Sequence, residues 1–515
     1  MIRLIKNELR KIFKKKTIYI LFIITTIVIL TNTIVGVSIY EGKMIDHSLE
    51  EIKNEREEMQ ERLKNLDYTN RSQIDEYIET KTKLEIAELS LKYEYGSWQE
   101  RAISSYEYEL QDIIRNINLY TYKNQNKEQL DITKKKYDEV LYLLDKCDWK
   151  EFAKFEQKET NNQISKLEES KKNNNQQIDK RNNEMSINNT GNPMEITDFI
   201  NQNSTISIEE QISRYKSKKE ILDIRIKEDI SYAFSDRNTL LLEYKRTENS
   251  FKQMYDNKNY DEMEYAQKIK YNEDLANVKK LEYMLYNKIP TLNKDNSRDM
   301  LKNSLKYYEI LIITITIIVS VSIISDEINK GTIKLLLIKP FSRGKILLAK
   351  FITCIIIMIL TVVFILIVQC LAGGIIYGFS DYLVPIMEYD FGTNKVIEVN
   401  IVSGLITSLI AKLPMYILIL AITFGVSTIT ANTPLSIIIG ILLYLSKNLI
   451  QVNENMKINK YFLATNWDFT RYLYGALPEA EFLNESFSAI LCVIYFIIVI
   501  GITFTTFKQK DIRNV

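Results

Sequence analysis

Six long apolar runs with almost no charge constrain the fold of this chain more than any other feature. They lie at residues 17–40, 309–325, 350–378, 413–431, 434–447 and 486–507. A helix needs about 20 apolar residues to cross the hydrocarbon core of a bilayer, and most of these runs approach or exceed about 18. We therefore predict an α-helical membrane protein and exclude a soluble enzyme.

The polar residues are concentrated between the first two runs. Residues 41–305 hold most of the Lys, Glu, Asp and Asn of the 515-residue chain. The formal net charge of the whole chain is only +1, which removes the electrostatic argument for a nucleic-acid partner. We therefore expect a large solvated domain inserted between the first and second spans, and no nucleic acid among the partners.

The number and positions of the cysteines and the histidine limit which disulfides, metal sites and catalytic sites the chain can form. These residues are Cys147, Cys354, Cys370, Cys492 and His47. Three of the cysteines fall inside apolar runs, so the polar region has a single thiol and cannot form an internal disulfide. No zinc-site spacing such as CxxC or HExxH occurs, and no histidine accompanies a nucleophile motif. We expect neither catalytic nor metal-ligating residues.

The first 16 residues have the pattern of an amphipathic helix lying in the membrane interface. Its apolar residues recur at helical spacing: Ile2, Ile5, Leu9, Ile12 and Phe13. Arg and Lys fill much of the remaining surface, which suits anionic headgroups. A plain basic flank is the alternative. The run 17–40 is longer than the ~7–15 apolar residues of a secretory signal, so we interpret it as a retained anchor.

Basic residues predict the orientation of the spans. They are concentrated before residue 17, within 326–350 and after 507, whereas 379–400 is acidic. Because basic flanks stay in the cytoplasm, both termini are expected inside and 41–305 outside. The predicted order is an interfacial helix (1–16), transmembrane helix 1 (17–40), an extracellular helical coiled-coil domain (41–305), transmembrane helix 2 (306–325), a cytoplasmic loop (326–349), transmembrane helices 3–6 (350–507) and a cytoplasmic tail (508–515). The fold class is an all-α membrane protein with six transmembrane helices and a large extracellular stalk.

The region 41–305 has the periodicity of a solvated coiled coil. Apolar residues from Ile45 to Leu66 alternate at spacings of four and three, with Glu and Lys between them. Breaks at Asp67–Ser72, near Gly96 and over 183–206 predict turns, the last being the distal one. The limbs beside that turn are unequal, so the first must fold back on itself. Its tyrosines form either a binding surface or a bundle core: Tyr93, Tyr95, Tyr106, Tyr108, Tyr120 and Tyr122.

Polar residues inside the first two spans are candidates for lining a pathway between two protomers. They are Thr26, Asn32, Thr314, Thr316 and Ser320. Hydroxyl groups in spanning helices also bond to their own backbone, which is the structural alternative. At the start of the fourth span we expect Lys412 to reach the headgroups, with 400–411 as a separate interfacial piece. An ammonium group held within the membrane would instead indicate a functional site.

The loop between the second and third spans is the most informative stretch. Gly331 breaks the helix that leaves the second span, and Thr332 can cap a short helix over 333–339. Pro340 ends this short helix, and Ser342 caps the helix that enters the third span. The short helix is too apolar to lie uncovered in water, so a lipid surface or a partner protein must bury it.

This loop resembles a pattern of ABC-2 type transporter permeases, in which an acidic residue, Gly-Thr, Leu-Leu, Pro-x-Ser-Arg and a later Lys follow the second span. The matching residues are Glu327, Gly331, Thr332, Leu336, Leu337, Pro340, Ser342, Arg343 and Lys350. The basic N-terminal helix and the insertion after the first span also resemble this family, although the outer domain is far larger than in many members. The resemblance implies that 333–339 is a coupling helix docking on a separate ATPase subunit.

The chain itself lacks the phosphate-binding loop GxxxxGK[ST], and its nearest fragment, 343–346, has neither the preceding glycine nor the hydroxyl residue. If the chain is a pump, as the resemblance implies, a separate chain must bind ATP and magnesium, and we expect this chain to be a transport subunit rather than an enzyme. The resemblance implies two permease chains, identical or paralogous, that are surrounded by membrane lipids and bind two separate ATPase chains. The expected substrate is a hydrophobic or amphipathic compound such as a peptide or lipid, moved outward.

Two other classes of function remain open. Phage-infection proteins have a similar layout of one span, a long helical outer region and five further spans, with no evident need for an ATPase. The chain would then be a membrane scaffold or a secretion component. The second alternative is a stalked surface sensor. The motif at 331–343 favours the transporter, whereas the length of the outer region favours these rivals.

Overall fold

The computed structural model describes residues 1–38, 45–123, 127–187, 207–293, 295–331, 341–449 and 457–509. The chain divides into two compact units. The first comprises Met1–Glu41, Tyr255–Lys280 and Leu292–Val515, and the second comprises Gly42–Met254 and Leu281–Thr291. Parts of the predicted outer region, at 255–280 and 292–305, therefore group with the apolar helices.

Helices dominate the described residues of both units. In chain order they are α1 (Ile2–Phe13), α2 (Lys16–Ser38), α3 (Ile45–Lys64), α4 (Ile74–Leu91), α5 (Trp98–Ser105), α6 (Glu107–Tyr122), α7 (Lys127–Lys146), α8 (Trp149–Ile187), α9 (Ile208–Lys227), α10 (Asp236–Tyr255), α11 (Tyr265–Tyr286), α12 (Ser297–Lys302), α13 (Ser304–Tyr307), α14 (Glu309–Asn329), α15 (Arg343–Tyr377), α16 (Ile401–Thr430), α17 (Thr433–Leu449), α18 (Leu463–Asn466) and α19 (Glu485–Gln509). The two strands are β1 (Ile386–Asp390) and β2 (Lys395–Val399).

Among the described residues, five helices are long and apolar enough to cross a membrane: α2, α14, α15, α16 and α19. A sixth apolar helix, α17, has 17 residues. At ~1.5 Å per residue, α15 is roughly 52 Å long and α16 roughly 45 Å, both longer than a ~30 Å hydrocarbon core. The helical membrane class is thus confirmed, while the count of six spans stays a prediction.

The α14 helix is the most buried of the five, because α15, α16 and α17 all pack against it. Its contact with α16 is partly polar. The hydroxyl groups of Ser320 and Thr423 lie 2.9 Å apart, and those of Ser325 and Ser427 lie 2.6 Å apart. Such bonds satisfy polar side chains without water and let two helix backbones approach closely.

The fourth predicted span differs from expectation because α16 is one continuous helix from Ile401 to Thr430. The predicted separate interfacial piece at 400–411 is wrong. The side chain of Asn400 accepts a hydrogen bond from the Val402 amide and caps the helix there. Pro414 lies inside α16 without interrupting it, as neighbouring helices permit in membrane bundles.

A short antiparallel hairpin departs from the all-α expectation. Strands β1 and β2 pair from Ile386 with Val399 to Asp390 with Lys395. The turn between them includes Asn394 at a φ of +53°, a left-handed conformation that Asn tolerates. This hairpin belongs to the acidic segment 379–400, and Lys302 of α12 donates to its Glu388 at 2.6 Å.

The second unit is a bundle of helices in which α3 packs on α4 and α8 packs on α9. The breaks predicted at Asp67–Ser72 and near Gly96 are confirmed, since α3 and α4 end before them. Of the distal turn predicted over 183–206, residues 188–206 lie outside the described residues. Tyr106 is buried in the bundle core, whereas Tyr108 is 75% exposed, so the tyrosines do not share one environment.

The charge of a fully buried acid in the second unit is balanced by a nearby cation. Glu156 is fully buried, and it contacts the ammonium group of Lys218 and the hydroxyl groups of Ser105 and Tyr232. Burial lowers the pKa of Lys218, but the charges of Glu156 and Glu109 outweigh this and raise the pKa above its ordinary value. The ammonium group therefore stays charged, and this network belongs to the core.

Candidate functional site

Helix-terminal residues define the two ends of the predicted coupling loop. The α14 helix ends at Asn329, and Gly331 follows with a φ of +67°, which favours glycine. On the other side, the side chain of Ser342 accepts a hydrogen bond from the Lys345 amide and caps α15. The predictions that Gly331 ends one helix and that Ser342 caps the next are confirmed, whereas a coupling role of either residue stays a prediction. Of the other predicted coupling residues, Glu327 and Arg343 are described, whereas four lie outside the described residues together with the predicted helix 333–339: Thr332, Leu336, Leu337 and Pro340.

Six charged side chains meet where α1, α14 and α15 come together, and we call them the basal ion cluster. They are Glu8, Lys11, Lys15, Asp326, Glu327 and Lys350. The ammonium group of Lys350 lies 2.7 Å from a carboxylate oxygen of Glu8 and 2.7 Å from one of Glu327. Lys11 contacts the same two acids at 2.9 and 2.7 Å, so each carboxylate is held by two cations.

The centre of the basal ion cluster is buried, and the charges of its six members balance. The side chains of Lys350, Glu8 and Glu327 are 1%, 5% and 14% exposed. Taking such groups out of water costs several kcal/mol per ion, by order of magnitude, unless opposite charges are close. Burial alone would lower the pKa of Lys11, but its bonds to Glu327 and Glu8 raise the pKa above the ordinary lysine value. Three cations therefore neutralise three carboxylates.

The α1 helix turns a mixed face toward the bundle. Leu4, Glu8 and Ile12 are buried, whereas Ile2 of the predicted apolar stripe is 82% exposed. Glu8 was not among the site residues predicted from the sequence. A signal was present, because Glu8 is the sole acid among the first 16 residues and lies four positions from both Leu4 and Ile12. That spacing places a carboxylate on the packed face.

Arg343 lies at the first turn of α15, next to the end of α19. Its guanidinium group donates to the backbone carbonyl of Lys508 at 3.2 Å. The side chain of Arg343 is exposed, so it borders the loop rather than the packed interior. Together with Gly331 and Ser342, it marks the described edge of the predicted coupling site.

The five candidate pathway residues differ in their local partners and in their burial. Thr26 and Thr316 each donate to the carbonyl four residues earlier, at 2.9 and 2.7 Å, which is the structural alternative for such hydroxyls. Ser320 bonds to the neighbouring α16, and Thr314 is half-buried. Asn32 is exposed on α2 and donates to the Tyr308 hydroxyl at 3.1 Å. A pathway role between protomers stays a prediction.

A second group of charges meets at the other end of α14, and we call it the Glu309 cluster. It consists of Glu309, Lys412, Tyr444, Lys447 and Asp468. The ammonium groups of Lys412 and Lys447 contact opposite oxygens of the Glu309 carboxylate, and the Tyr444 hydroxyl donates to it at 3.1 Å. Glu309 and Lys412 are only 3% and 6% exposed.

This arrangement corrects the expectation for Lys412. Its ammonium group does not extend to the surface, since Glu309 holds it inside the helical bundle. Asp468, in the segment between α18 and α19, lies 3.6 Å from the same ammonium. Burial would raise the pKa of Asp468, but the Lys412 charge and hydrogen bonds from Thr470 hold it below its usual range. Two cations thus face two carboxylates.

Several apolar helices are long enough to cross a bilayer, and balanced ion clusters lie at both ends of the most buried one. These features define a multi-pass helical membrane protein. Residues 265–513 match the model of DUF2705, a family described as a protein of unknown function. Two proteins of Bacillus subtilis are similar in sequence. The "Uncharacterized protein YhcI" is 30% identical over 201 residues, which cover 39% of this chain and 64% of that protein.

The other relative is the "Uncharacterized membrane protein YdbK", which is 25% identical over 209 residues, covering 40% of this chain and 79% of that protein. The name of this relative as a membrane protein agrees with the membrane class derived from the helices. No solved protein structure matches the chain.

Proposed function

We propose that this chain is the transmembrane subunit of an ABC-2 type transporter that exports a hydrophobic or amphipathic compound, with a separate ATPase subunit supplying the energy. The observation that supports this most is the buried contact between Glu327 and Lys350. Both residues match the family pattern, one before the loop and one after it. The family's acidic and basic positions are therefore partners here.

The ion pair gives the loop a mechanical connection to the bundle. Glu327 lies two residues before the end of α14, and Lys350 lies two turns into α15. Because the pair holds these two helices together, a partner that displaces the loop would move both helices. Lys11 and Glu8 extend the connection to α1. ATP-driven motion of a docked subunit would thus reach three helices at once.

The proposed orientation places the basal ion cluster on the cytoplasmic side. Arg3, Lys6, Arg10 and Lys14 are exposed on or beside α1, close in sequence to that cluster. Cytoplasmic leaflets carry anionic lipids that attract such residues by ~1 kcal/mol each. Under this topology the termini are cytoplasmic, and the second unit, within residues 41–305, is extracellular.

Co-purification with the ATPase tests the proposal. Replacing Leu336 and Leu337 together by Asp should release the ATPase, because two carboxylates cannot be buried in an apolar interface without partners. The matched control is Lys6→Asp with Asn7→Asp, which places two carboxylates on the exposed face of α1. Membrane insertion should be unchanged in both variants, since neither pair lies in a span.

The expected result is loss of the ATPase from the loop variant and its retention by the native chain and the control. Undiminished recovery of the ATPase with the Leu336 and Leu337 variant would contradict the coupling role of the loop. Absence of any nucleotide-binding subunit from the native preparation would favour a membrane scaffold instead.

A further inference from the structure

An apolar cleft of about 560 Å³ opens between α16 and α19 in the first unit. Ile410 and Pro414 line it on the α16 side, and Ala489 and Val493 line it on the α19 side. Phe469, from the segment between α18 and α19, also lines it. The volume is in the range of ~300–1,000 Å³ that is typical of small-molecule sites.

The cleft forms because α16 and α19 diverge from a tight contact. At Gly425 an added methyl group would lie 2.6 Å from the Thr503 hydroxyl oxygen, so the two backbones approach closely there. Three to four turns away, toward Ile410 and Val493, the same two helices leave the cleft. The two helices are thus in close contact at Gly425 and leave space between them near Ile410 and Val493.

Two bonds tie α19 to the chain segment that precedes it. The hydroxyl groups of Tyr472 and Ser488 lie 3.0 Å apart, which ties the segment Phe469–Gly475 to α19. The thiol of Cys492 donates to the Asn466 carbonyl at 3.6 Å. These contacts hold Tyr472 and Cys492, which both line the cleft, against their neighbours.

A hydrocarbon chain is the occupant that suits this lining. Ile410 and Val493, at the rim, are 61% and 56% exposed, so the cleft opens toward the surrounding bilayer. Water gains no hydrogen bonds in an apolar space, and such cavities stay dry or take apolar ligands. An alkyl tail entering from the side would bury its surface against both helices.

A carboxylate at one end of the cleft indicates the charge of the headgroup that a bound amphiphile would carry. Glu485, the first residue of α19, lines this end, and its carboxylate is exposed. The nearest cation on the segment Phe469–Gly475, Arg471, is paired with Glu479 at 3.2 Å. The carboxylate of Glu485 therefore attracts a positive group beside the mouth of the cleft.

We propose that the cleft binds a single-tailed cationic amphiphile, with its alkyl chain between α16 and α19 and its ammonium group at Glu485. As a statement about the transported substrate class, this inference rests on the proposed function. As a binding site, it needs no ATPase and is tested on the purified chain alone.

Photo-crosslinking in proteoliposomes of zwitterionic lipid tests the site. The probes are hexadecylamine and hexadecanoic acid, each with a diazirine in the tail, and mass spectrometry maps the adducts. We expect the amine to label peptides carrying Ile410 or Val493 about fivefold more than the acid, because one exposed ion pair contributes at most ~1 kcal/mol. Glu485→Gln should remove this preference without removing the adducts.

Two variants on opposite walls block the tail. Ala489→Phe and Ile410→Trp should each reduce labelling of the cleft severalfold. Because two independent variants are used, misfolding of one of them does not decide the result. Ile497→Phe is the control, because Ile497 is 62% exposed on α19 and does not line the cleft. Labelling that neither blocking variant reduces would overturn the site.

A separate result would contradict the proposed cationic headgroup. Equal labelling by amine and acid in the native chain would show that ordinary membrane lipid tails fill the cleft, and would overturn the cationic ligand. Neither result depends on co-purification of an ATPase, so failure of the transporter proposal and failure of this site are separate observations.

Discussion

Replacing Lys350 by Met removes the central cation of the basal ion cluster while keeping a side chain of similar length. Glu8 and Glu327 would each lose a contact of 2.7 Å. Removing one partner of a buried pair costs about 3–5 kcal/mol. Lys11 still contacts both acids, at 2.9 and 2.7 Å, so the lower end applies. We expect a loss of ~3 kcal/mol, or roughly 150-fold in the folding equilibrium.

Equilibrium unfolding in mixed micelles with sodium dodecyl sulfate measures this loss. Trp467 is buried in the first unit and reports its unfolding by fluorescence. Trp98 and Trp149 lie in the second unit and are replaced by Phe so that Trp467 is the sole tryptophan.

Two further variants separate the ion pairs from the change in side chain. Lys345→Met removes an exposed cation of α15 and should shift stability by under ~0.5 kcal/mol. Glu8→Gln combined with Lys350→Met also removes the carboxylate that has lost one of its two cations. The loss of stability in the double variant should therefore be ~1–3 kcal/mol smaller than the summed losses of the two single variants. A Lys350→Met stability within ~0.5 kcal/mol of the native value, or strict additivity in the double variant, would refute the reasoning.

Three further predictions address helix packing, topology and chemistry. Gly425→Ala should destabilise the first unit by ~1–3 kcal/mol in the same unfolding assay, because the added methyl group meets Thr503, while Gly501→Ala should not, since no atom lies near it. A membrane-impermeant maleimide should label the half-buried Cys147 on intact cells, and Cys147→Ser should abolish that signal; labelling only after lysis would invert the topology. The purified chain should hydrolyse no ATP, and turnover that survives removal of other proteins would contradict the missing phosphate loop.

The long apolar helices were predictable because hydropathy is a local property. A run such as 350–378 is apolar enough to identify itself without any knowledge of its neighbours, and α15 covers it. Helix termini were predictable for the same reason. Gly331 and Ser342 act through their own backbone and side-chain geometry, so the sequence around each of them was sufficient.

The ion clusters were not predictable because their members are distant in sequence. Glu8 and Lys350 are separated by 342 positions, and Glu309 and Lys412 by 103. A lone Lys412 near a span end favours a headgroup position, and only the packed bundle shows that Glu309 replaces water as its partner. The hairpin of β1 and β2 escaped notice because five-residue strands give a weak alternation signal.

Native mass spectrometry of the affinity-purified native chain tests the central claim most directly. The transporter proposal predicts an assembly of two transmembrane chains and two nucleotide-binding ATPase chains, with at least one transmembrane chain being this protein. Substituting Leu336 and Leu337 by Asp should leave the transmembrane chains without the ATPase chains. A native assembly that contains this chain but no nucleotide-binding subunit would contradict the account.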